Sequence, residues 1–181
     1  AGTIYRIFAT ETDPNTLWLA TARRGLVRFD AEKGELESIN DNEHLEHKVP
    51  PPKGSISFLA ESESVIWVGG FRADPRLYRF DTESLQFLDA VTYNRPDEGM
   101  NASSIHLLRD QDDQVWAGIR GGGVAKFHPD SAKFDYHVYD AKSDRSIGSN
   151  LVRQLYQDRS GMIWAITPPT GISVFDPRAN W

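Results

Sequence analysis

QDRSGMIWAIT, residues 157–167, joins a turn-like Asp-Arg-Ser-Gly segment to a short apolar run with a tryptophan at its centre. Such a stretch is compatible with an isolated hairpin, with a metal or phosphate loop, or with one copy of an internal repeat. The spacing of the tryptophans decides between these possibilities. Four of the five recur at intervals of 49, 49 and 48 residues, and they are Trp18, Trp67, Trp116 and Trp164.

The residues around the four tryptophans repeat as well. The flanking segments are TLWLAT, VIWVGG, QVWAGI and MIWAIT, and an apolar run precedes each of them. An aromatic residue followed by a polar one comes 11 to 13 residues after each tryptophan: Phe29-Asp30, Phe80-Asp81, Phe127-His128 and Phe175-Asp176. Recurrence of three features at one period indicates a repeat of about 48 residues.

Each repeat has the pattern of antiparallel strands. Segments such as GLVRFD and GISVFD alternate apolar and polar positions, and turn residues such as TDPN and DRSG separate the apolar runs. Four strands, a to d, in each repeat of this length predict an all-β propeller of about four blades. We expect one domain over residues 1–181, with blades at 3–40, 54–91, 102–140 and 150–178. The last blade lacks strand d, which predicts a fragment or a half-ring.

The repeated aromatic residues have two possible roles. Large side chains fill the gap between twisted sheets, whereas an exposed tryptophan can stack on a sugar. Their position in the middle strands favours packing, and we expect the four tryptophans, together with Phe29, Phe80, Phe127 and Phe175, to lie in the core.

The repeat resembles that of the two-component regulator propeller family, whose blades have the approximate pattern N-x-V-x-x-I-x-x-D-x-x-G-x-(I/L)-W-x-G-T…G-G-L-x-(R/K)-(F/Y)-(D/N). The first copy departs from the pattern at its a–b turn, TETDPN, and the second replaces the glycines before strand c with FRADPR. The fourth copy matches best, through Asn150, Val152, Leu155, Asp158, Gly161, Ile163, Trp164, Thr167, Gly171, Phe175 and Asp176.

The resemblance implies a function and a location. Such propellers are usually the periplasmic sensor region of bacterial hybrid kinases or diguanylate cyclases. It therefore implies a periplasmic domain that is not itself an enzyme and that senses a ligand for a kinase or cyclase elsewhere in the protein.

Composition narrows the possible partners. A net charge of −6 argues against a nucleic-acid groove. No apolar run approaches the length of a membrane span, which is about 18 residues. DQDDQ (110–114) lacks the central glycine and the bidentate glutamate of a calcium loop, and GGG (121–123) precedes a strand rather than a phosphate-binding helix. We expect no metal, no cofactor, no nucleic acid and no membrane insertion by this domain.

Arginines concentrate in the loops between strands b and c. These loops and the d–a connectors share one rim of a propeller, and only Asp74 supplies an acid to the b–c loops. Guanidinium groups bind carboxylate, sulfate and phosphate in a bidentate manner, so the rim predicts a site for a small anionic ligand such as an acidic saccharide. The alternative is that these arginines are exposed loop residues that keep the surface soluble. The candidates are Arg23, Arg24, Arg72, Arg76 and Arg120, joined by Tyr93 and Arg95 from a d–a connector.

Two other functions remain open. The domain could be a protein-interaction or dimerisation scaffold without a small ligand, and the open edge of the last blade could pair with a second copy as a homodimer. It could also be a propeller lyase or glycosidase, but such an enzyme requires clustered His, Glu or Asp, and the arginine-bearing rim is poor in acids.

Overall fold

The computed structural model describes residues 3–9, 13–52, 55–60, 64–70, 76–93 and 104–179, with the backbone alone for 55–60 and 104–105. These residues form fifteen β-strands and no helix. The strands are arranged in four antiparallel sheets, and within each sheet the spatial order follows the chain order. This arrangement confirms the prediction of an all-β fold built from repeated antiparallel units.

Three sheets have four strands and the last has three. The first contains β1 (Ile4–Ala9), β2 (Thr16–Thr21), β3 (Gly25–Asp30) and β4 (Glu35–Ser38). The second contains β5 (Ser55–Ala60), β6 (Val65–Gly70), β7 (Arg76–Asp81) and β8 (Gln86–Thr92). The third contains β9 (Ser104–Arg109), β10 (Val115–Ile119), β11 (Gly123–His128) and β12 (Lys133–His137). The fourth contains β13 (Gln154–Gln157), β14 (Ile163–Thr167) and β15 (Gly171–Phe175).

The chain divides into two compact units, Ala1–Thr92 and Tyr93–Trp181, and each unit holds two of the sheets. The expectation of one domain over residues 1–181 stays a prediction. The strand bounds fall within the four blade ranges that the repeat predicts, apart from Thr92 at the end of β8.

The core of the first unit lies between its two sheets. The ring of Trp18 meets the edge of Phe80 from the second sheet at a centroid distance of 5.2 Å. Phe80 in turn contacts Phe87 at 4.8 Å, and Ile66 and Tyr78 are fully buried in the same cluster. The tryptophan of the first sheet is therefore covered by the sheet that follows it.

The second unit repeats this arrangement. Trp116 of the third sheet is fully buried among residues of the fourth, which include Leu155, Ile163 and Phe175. The rings of Trp116 and Phe175 lie 5.7 Å apart. In both units, the tryptophan face of one sheet packs against the opposite face of the next.

This rule makes the last tryptophan different from its counterparts. Trp18, Trp67 and Trp116 are buried, but Trp164 is 41% exposed. None of the described sheets covers the tryptophan face of the fourth sheet, and the packing of Trp164 in the core stays a prediction. Among the repeated phenylalanines, Phe80, Phe127 and Phe175 are buried and Phe29 is half-buried.

The aspartate after the repeated phenylalanine shapes the turn between strands c and d. The Asp30 carboxylate accepts hydrogen bonds from the backbone N–H groups of Glu32 and Lys33, both at 3.0 Å. Asp81 accepts the corresponding pair from Glu83 and Ser84. A side-chain acceptor at this point satisfies donors that the tight turn leaves without strand partners. The Phe-Asp pair of the sequence repeat is therefore one core residue followed by one turn residue.

Candidate functional site

The b–c turn of the first sheet holds two of the candidate arginines. Thr21 closes this turn, since its Oγ1 donates to the carbonyl of Gly25 at 3.0 Å and accepts the N–H of Arg24 at 3.1 Å. The side chains of Arg23 and Arg24 are exposed. The turn thus has an ordered backbone and two guanidinium groups that are accessible to a ligand.

The b–c turn of the third sheet holds Arg120, which is also exposed. Its backbone forms an isolated antiparallel bridge with Leu151, and the N–H of Gly123 donates to the carbonyl of Asn150 at 2.9 Å. Leu151 and Asn150 lie in the segment that leads from strand d of the third sheet to strand a of the fourth. A b–c turn and a d–a connector therefore meet at one end of this unit, as the sequence predicts.

Two other candidates make contacts within the protein. Arg76 is the first residue of β7 rather than part of the preceding loop, and its guanidinium lies 4.9 Å from the centre of the Tyr78 ring. Tyr93 is only 4% exposed, and its ring packs 4.8 Å from that of Phe134. A buried ring offers no surface to a ligand, so Tyr93 does not contribute to an exposed anion site. Arg72 and Arg95 lie outside the described residues.

The corresponding turn of the fourth sheet contains no cation. Thr170 Oγ1 donates to the carbonyl of Thr167 at 2.6 Å, and the hydroxyls of Thr167 and Ser173 lie 3.0 Å apart. Ser173 Oγ also accepts the N–H of Gly148 at 2.9 Å. Hydroxyl groups thus close this turn and hold the d–a connector against it.

At the other end of the second unit, aspartates bind the indole groups. Trp116 Nε1 donates to Asp110 Oδ2 at 2.7 Å, and Trp164 Nε1 donates to Asp158 Oδ2 at the same distance. Asp110 Oδ1 also accepts the backbone N–H groups of residues 112 and 114. These acidic residues are therefore engaged in shaping the a–b hairpins.

The hydrogen bond between indole and aspartate was not predicted from the sequence, although the spacing of the two residues indicates it. An aspartate stands six residues before the tryptophan in the third and fourth repeats, whereas Thr12 and Glu61 occupy that position in the first two. Thr12 and Glu61 lie outside the described residues. The hydrogen bonds from Ser160 and then Trp164 hold the pKa of Asp158 below its usual value, because they favour the ionised carboxylate.

A second contact that sequence reasoning missed runs across the strands. In the first three sheets a basic residue of strand c lies opposite the tryptophan, and an acid of strand d lies opposite that basic residue. The Arg28–Glu37 ion pair measures 2.8 Å and the Arg79–Asp89 pair 3.1 Å. The three cross-strand rows are Trp18–Arg28–Glu37, Trp67–Arg79–Asp89 and Trp116–Lys126–Asp135.

These rows place cations on aromatic rings. The guanidinium of Arg79 lies 5.6 Å from the Trp67 ring, and Lys126 Nζ lies 5.5 Å from the Trp116 ring. Such contacts stabilise the cation and cover the indole with the aliphatic part of the side chain. The strand-c arginines and lysine are thus structural, in contrast to the arginines of the b–c turns.

His137 of β12 stacks on the core of the second unit. Its ring lies 5.6 Å from that of Trp116 and 5.9 Å from that of Phe175. Burial lowers the pKa of His137 below its usual 6.5, because the charged imidazolium loses its hydration there, and Asp135 opposes this effect only in part.

This shift predicts a pH dependence of stability. The unfolded chain takes up the His137 proton at a higher pH than the folded chain does, so stability is lost as the pH falls below about 6.5. We expect the melting temperature to drop between pH 7.5 and pH 5.5 by more in the wild-type protein than in His137→Phe, which keeps a ring at this position. Thermal melts of both proteins across this range measure the difference, and equal slopes would contradict the assignment to His137.

The described residues provide neither a metal site nor a membrane-spanning helix. No group of three or more His, Cys, Asp or Glu side chains converges there so as to hold a metal ion. No helix in the described part of the chain is long and apolar enough to cross a membrane.

Known proteins share this architecture of repeated antiparallel sheets. No family model matches the chain. Among curated proteins, Histidine kinase P4 of Formosa agariphila is 26% identical over 166 residues, which are 86% of this chain and 12% of that protein. The chain thus spans about an eighth of the length of this relative.

Solved structures give the fold directly. The extracellular domain of BT4673 from B. thetaiotaomicron, described both as a one component and as a hybrid two component system, matches 99% of this chain with a TM-score of 0.74 and 22% identity. This chain covers 22% of that structure. The WD40 β-propeller domain of Doa1 matches 97% of the chain with a TM-score of 0.69, at 7% identity, and the chain covers 51% of it.

The chain has a β-propeller fold. The neighbours are consistent with the two-component regulator propeller family, as the repeat pattern predicts. A further neighbour, the extracellular domain of BT3049 from B. thetaiotaomicron, has a TM-score of 0.55 and 14% identity. In propeller terms, the exposed candidates Arg23, Arg24 and Arg120 lie on b–c turns, and the indole-binding aspartates lie on a–b turns.

Proposed function

We propose that this propeller chain is a non-catalytic, extracytoplasmic sensor domain of a bacterial signalling protein. The observation that carries the proposal is the match of 99% of the chain to an extracellular domain of a bacterial signalling system. The curated relative is named a histidine kinase, and the matched 12% of its length leaves room for a kinase elsewhere in that protein. Periplasmic placement and a downstream output domain are part of the proposal.

The proposed ligand is an anion, which the b–c turn of each unit binds by itself, through Arg23 and Arg24 in the first unit and through Arg120 in the second. Arg23, Arg24 and Arg120 are exposed, and within the described residues no ion pair joins any of them to an acidic side chain. A guanidinium that is not already neutralised is available for bidentate binding to a carboxylate or sulfate. The backbones beneath them are held by Thr21 in one turn and by the Leu151 bridge in the other. An acidic saccharide has the chemistry that these groups recognise.

The test is a thermal-shift screen of acidic and neutral oligosaccharides, followed by titration calorimetry of any hit. Loss of a charge-assisted hydrogen bond costs about 1.5–3 kcal/mol, so Arg120→Ala or the double change Arg23→Ala with Arg24→Ala should weaken binding by about tenfold or more. Arg159→Ala is the matched control, because Arg159 is an exposed arginine on the a–b turn of the fourth sheet.

Three results would count against this function. Unchanged affinity in both turn variants would remove the arginines from the site. Equal weakening by Arg159→Ala would show a general charge effect and no defined site. If mass spectrometry showed that a bound saccharide is converted to a product, the domain would be an enzyme.

A further inference from the structure

An exposed aromatic residue lies beside the b–c turn of the third sheet. Tyr139 is 50% exposed and follows the end of β12 by two residues. Its backbone N–H donates to Asn150 Oδ1 at 2.7 Å, and the carbonyl of Asn150 accepts the N–H of Gly123 at 2.9 Å. Asn150 therefore joins the backbone of Tyr139 directly to the turn that carries Arg120.

A second exposed guanidinium belongs to the same connector. Arg153 is exposed and lies two residues beyond Leu151, the residue that forms the backbone bridge with Arg120. Its N–H donates to the carbonyl of Ile166 at 2.9 Å, so the fourth sheet holds its backbone in place. Within the described residues no ion pair joins Arg120 or Arg153 to an acidic side chain. The connector thus adds a cation that the b–c loops of the sequence do not reveal.

The remaining charges of the connector are mixed. Two acids, Asp140 and Asp144, lie in it, and Asp140 Oδ1 accepts the backbone N–H of Lys142 at 2.8 Å. Lys142, Arg145 and Arg153 outnumber these acids, and Arg120 of the turn adds to the excess. The surface therefore favours a negatively charged ligand.

The amide of Asn150 supplies a neutral donor at this surface. Its Oδ1 accepts a backbone N–H, so its Nδ2 carries the hydrogens, and Nδ2 makes no hydrogen bond within the described residues. A donor of this kind is available to a hydroxyl oxygen. The turn of the second unit therefore combines guanidinium groups, an amide donor and an aromatic ring.

The corresponding turn of the first unit has a different neighbour. Ser38 and Tyr136 each lie opposite the residue that follows the turn glycine by two positions, so Asp41 stands where Tyr139 stands in the third repeat. Ser38 Oγ donates to Asp41 Oδ2 at 2.8 Å and lies 3.4 Å from the carbonyl of Arg24. The first unit thus places an exposed carboxylate, and no ring, beside its arginines.

We propose that the b–c turn of the second unit binds an acidic saccharide, with Arg120 and Arg153 on its carboxylate or sulfate group and the ring of Tyr139 stacked on an adjacent sugar ring. An aromatic face covers the apolar face of a pyranose, while paired guanidinium groups fix the acid. This inference rests on the proposed anion-binding function. It adds the residue that distinguishes a saccharide from a simple anion, and it assigns that discrimination to one of the two units.

The experiment compares digalacturonate with inorganic sulfate by NMR titration of the labelled 181-residue chain. All variants carry Arg23→Ala and Arg24→Ala, so that only the turn of the second unit contributes. Tyr139→Ala should weaken digalacturonate binding by about three- to tenfold and change sulfate binding by less than about twofold. Arg120→Ala or Arg153→Ala should weaken both ligands by about tenfold or more.

Two further variants serve as controls. Tyr139→Phe keeps the ring and should bind digalacturonate within about twofold of the background protein. Tyr156→Ala removes another exposed tyrosine of the second unit, which lies on β13 at 60% exposure, and should leave both affinities unchanged. Because Tyr139 is exposed and its bond to Asn150 comes from the backbone, we expect the chain to keep its fold in the Tyr139 variants.

The possible results separate this inference from the function on which it rests. If Arg120→Ala weakens both ligands but Tyr139→Ala weakens neither, the stacking role is overturned and the anion site stands. If Arg120→Ala weakens neither ligand, the anion site of this unit is overturned as well. Equal weakening of both ligands by Tyr139→Ala, equal weakening by Tyr156→Ala, or sulfate binding without digalacturonate binding would also overturn the stacking role. Selective loss of digalacturonate binding in Tyr139→Ala, with retention in Tyr139→Phe, supports it.

Discussion

Trp116→Ala should destabilise the second unit by about 3–5 kcal/mol, the usual cost of removing a fully buried Trp side chain. The indole is fully buried, contacts His137 and Phe175, and donates to Asp110. Its removal opens a cavity between the third and fourth sheets and also takes away a donor from the buried Asp110 carboxylate. Guanidinium unfolding followed by circular dichroism measures the loss.

Trp164→Ala provides the matched comparison. Trp164 occupies the same repeat position and makes the same bond to an aspartate, but it is exposed. We expect a loss of about 1 kcal/mol or less. Equal losses in the two variants would contradict the conclusion that Trp116 is buried by the sheet that follows its own.

Gly123→Ala should also be strongly destabilising. Gly123 begins β11 with a φ of +78°, a conformation that costs an L-residue about 1–2 kcal/mol. An added Cβ would overlap the carbonyl oxygen of His137 in the neighbouring strand, and a main-chain atom of a paired strand has little freedom to move. Overpacking adds about 1–3 kcal/mol, so we expect a total of about 2–5 kcal/mol.

Gly171→Ala separates the cost of the backbone conformation from the cost of the steric overlap. Gly171 begins β15, the corresponding strand of the fourth sheet, with a φ of +107°. No heavy atom of the described residues lies within 4 Å of an added Cβ there, so only the backbone cost applies. Denaturant midpoints of both variants give the comparison. A loss at Gly123 no larger than that at Gly171 would show that the carbonyl of His137 moves aside at little cost.

Much of the fold could be predicted from the sequence because its signals are local. Period-two alternation, the turn residues and the spacing of the tryptophans place the strands of QDRSGMIWAIT and its counterparts correctly. The Asp158–Gly161 hairpin follows from the same segment, and the N–H of Gly161 donates to the carbonyl of Asp158 at 3.0 Å. The roles of Asp30 and Asp81 in the c–d turns agree with their position directly after strand c.

The candidate site was harder to predict, because the role of an arginine depends on its surroundings. Arg76 and Arg120 look alike as basic residues near b–c turns, but Arg76 lies over the ring of Tyr78 and Arg120 is exposed. Tyr93 lies in a connector that is polar in sequence, yet its ring is buried against Phe134. Which side chains remain available to a ligand follows only from the packing.

The sequence by itself determined the repeat, the strands and the side of each strand on which the tryptophan lies. These features depend on a two-residue period and on short turns, and both involve only neighbours along the chain. Only the tertiary structure decided which faces are covered. Trp116 and Trp164 have nearly the same local sequence and the same aspartate partner, but one lies beneath the next sheet and the other does not. Burial depends on what packs against a face, and the residues that supply that packing come from another repeat.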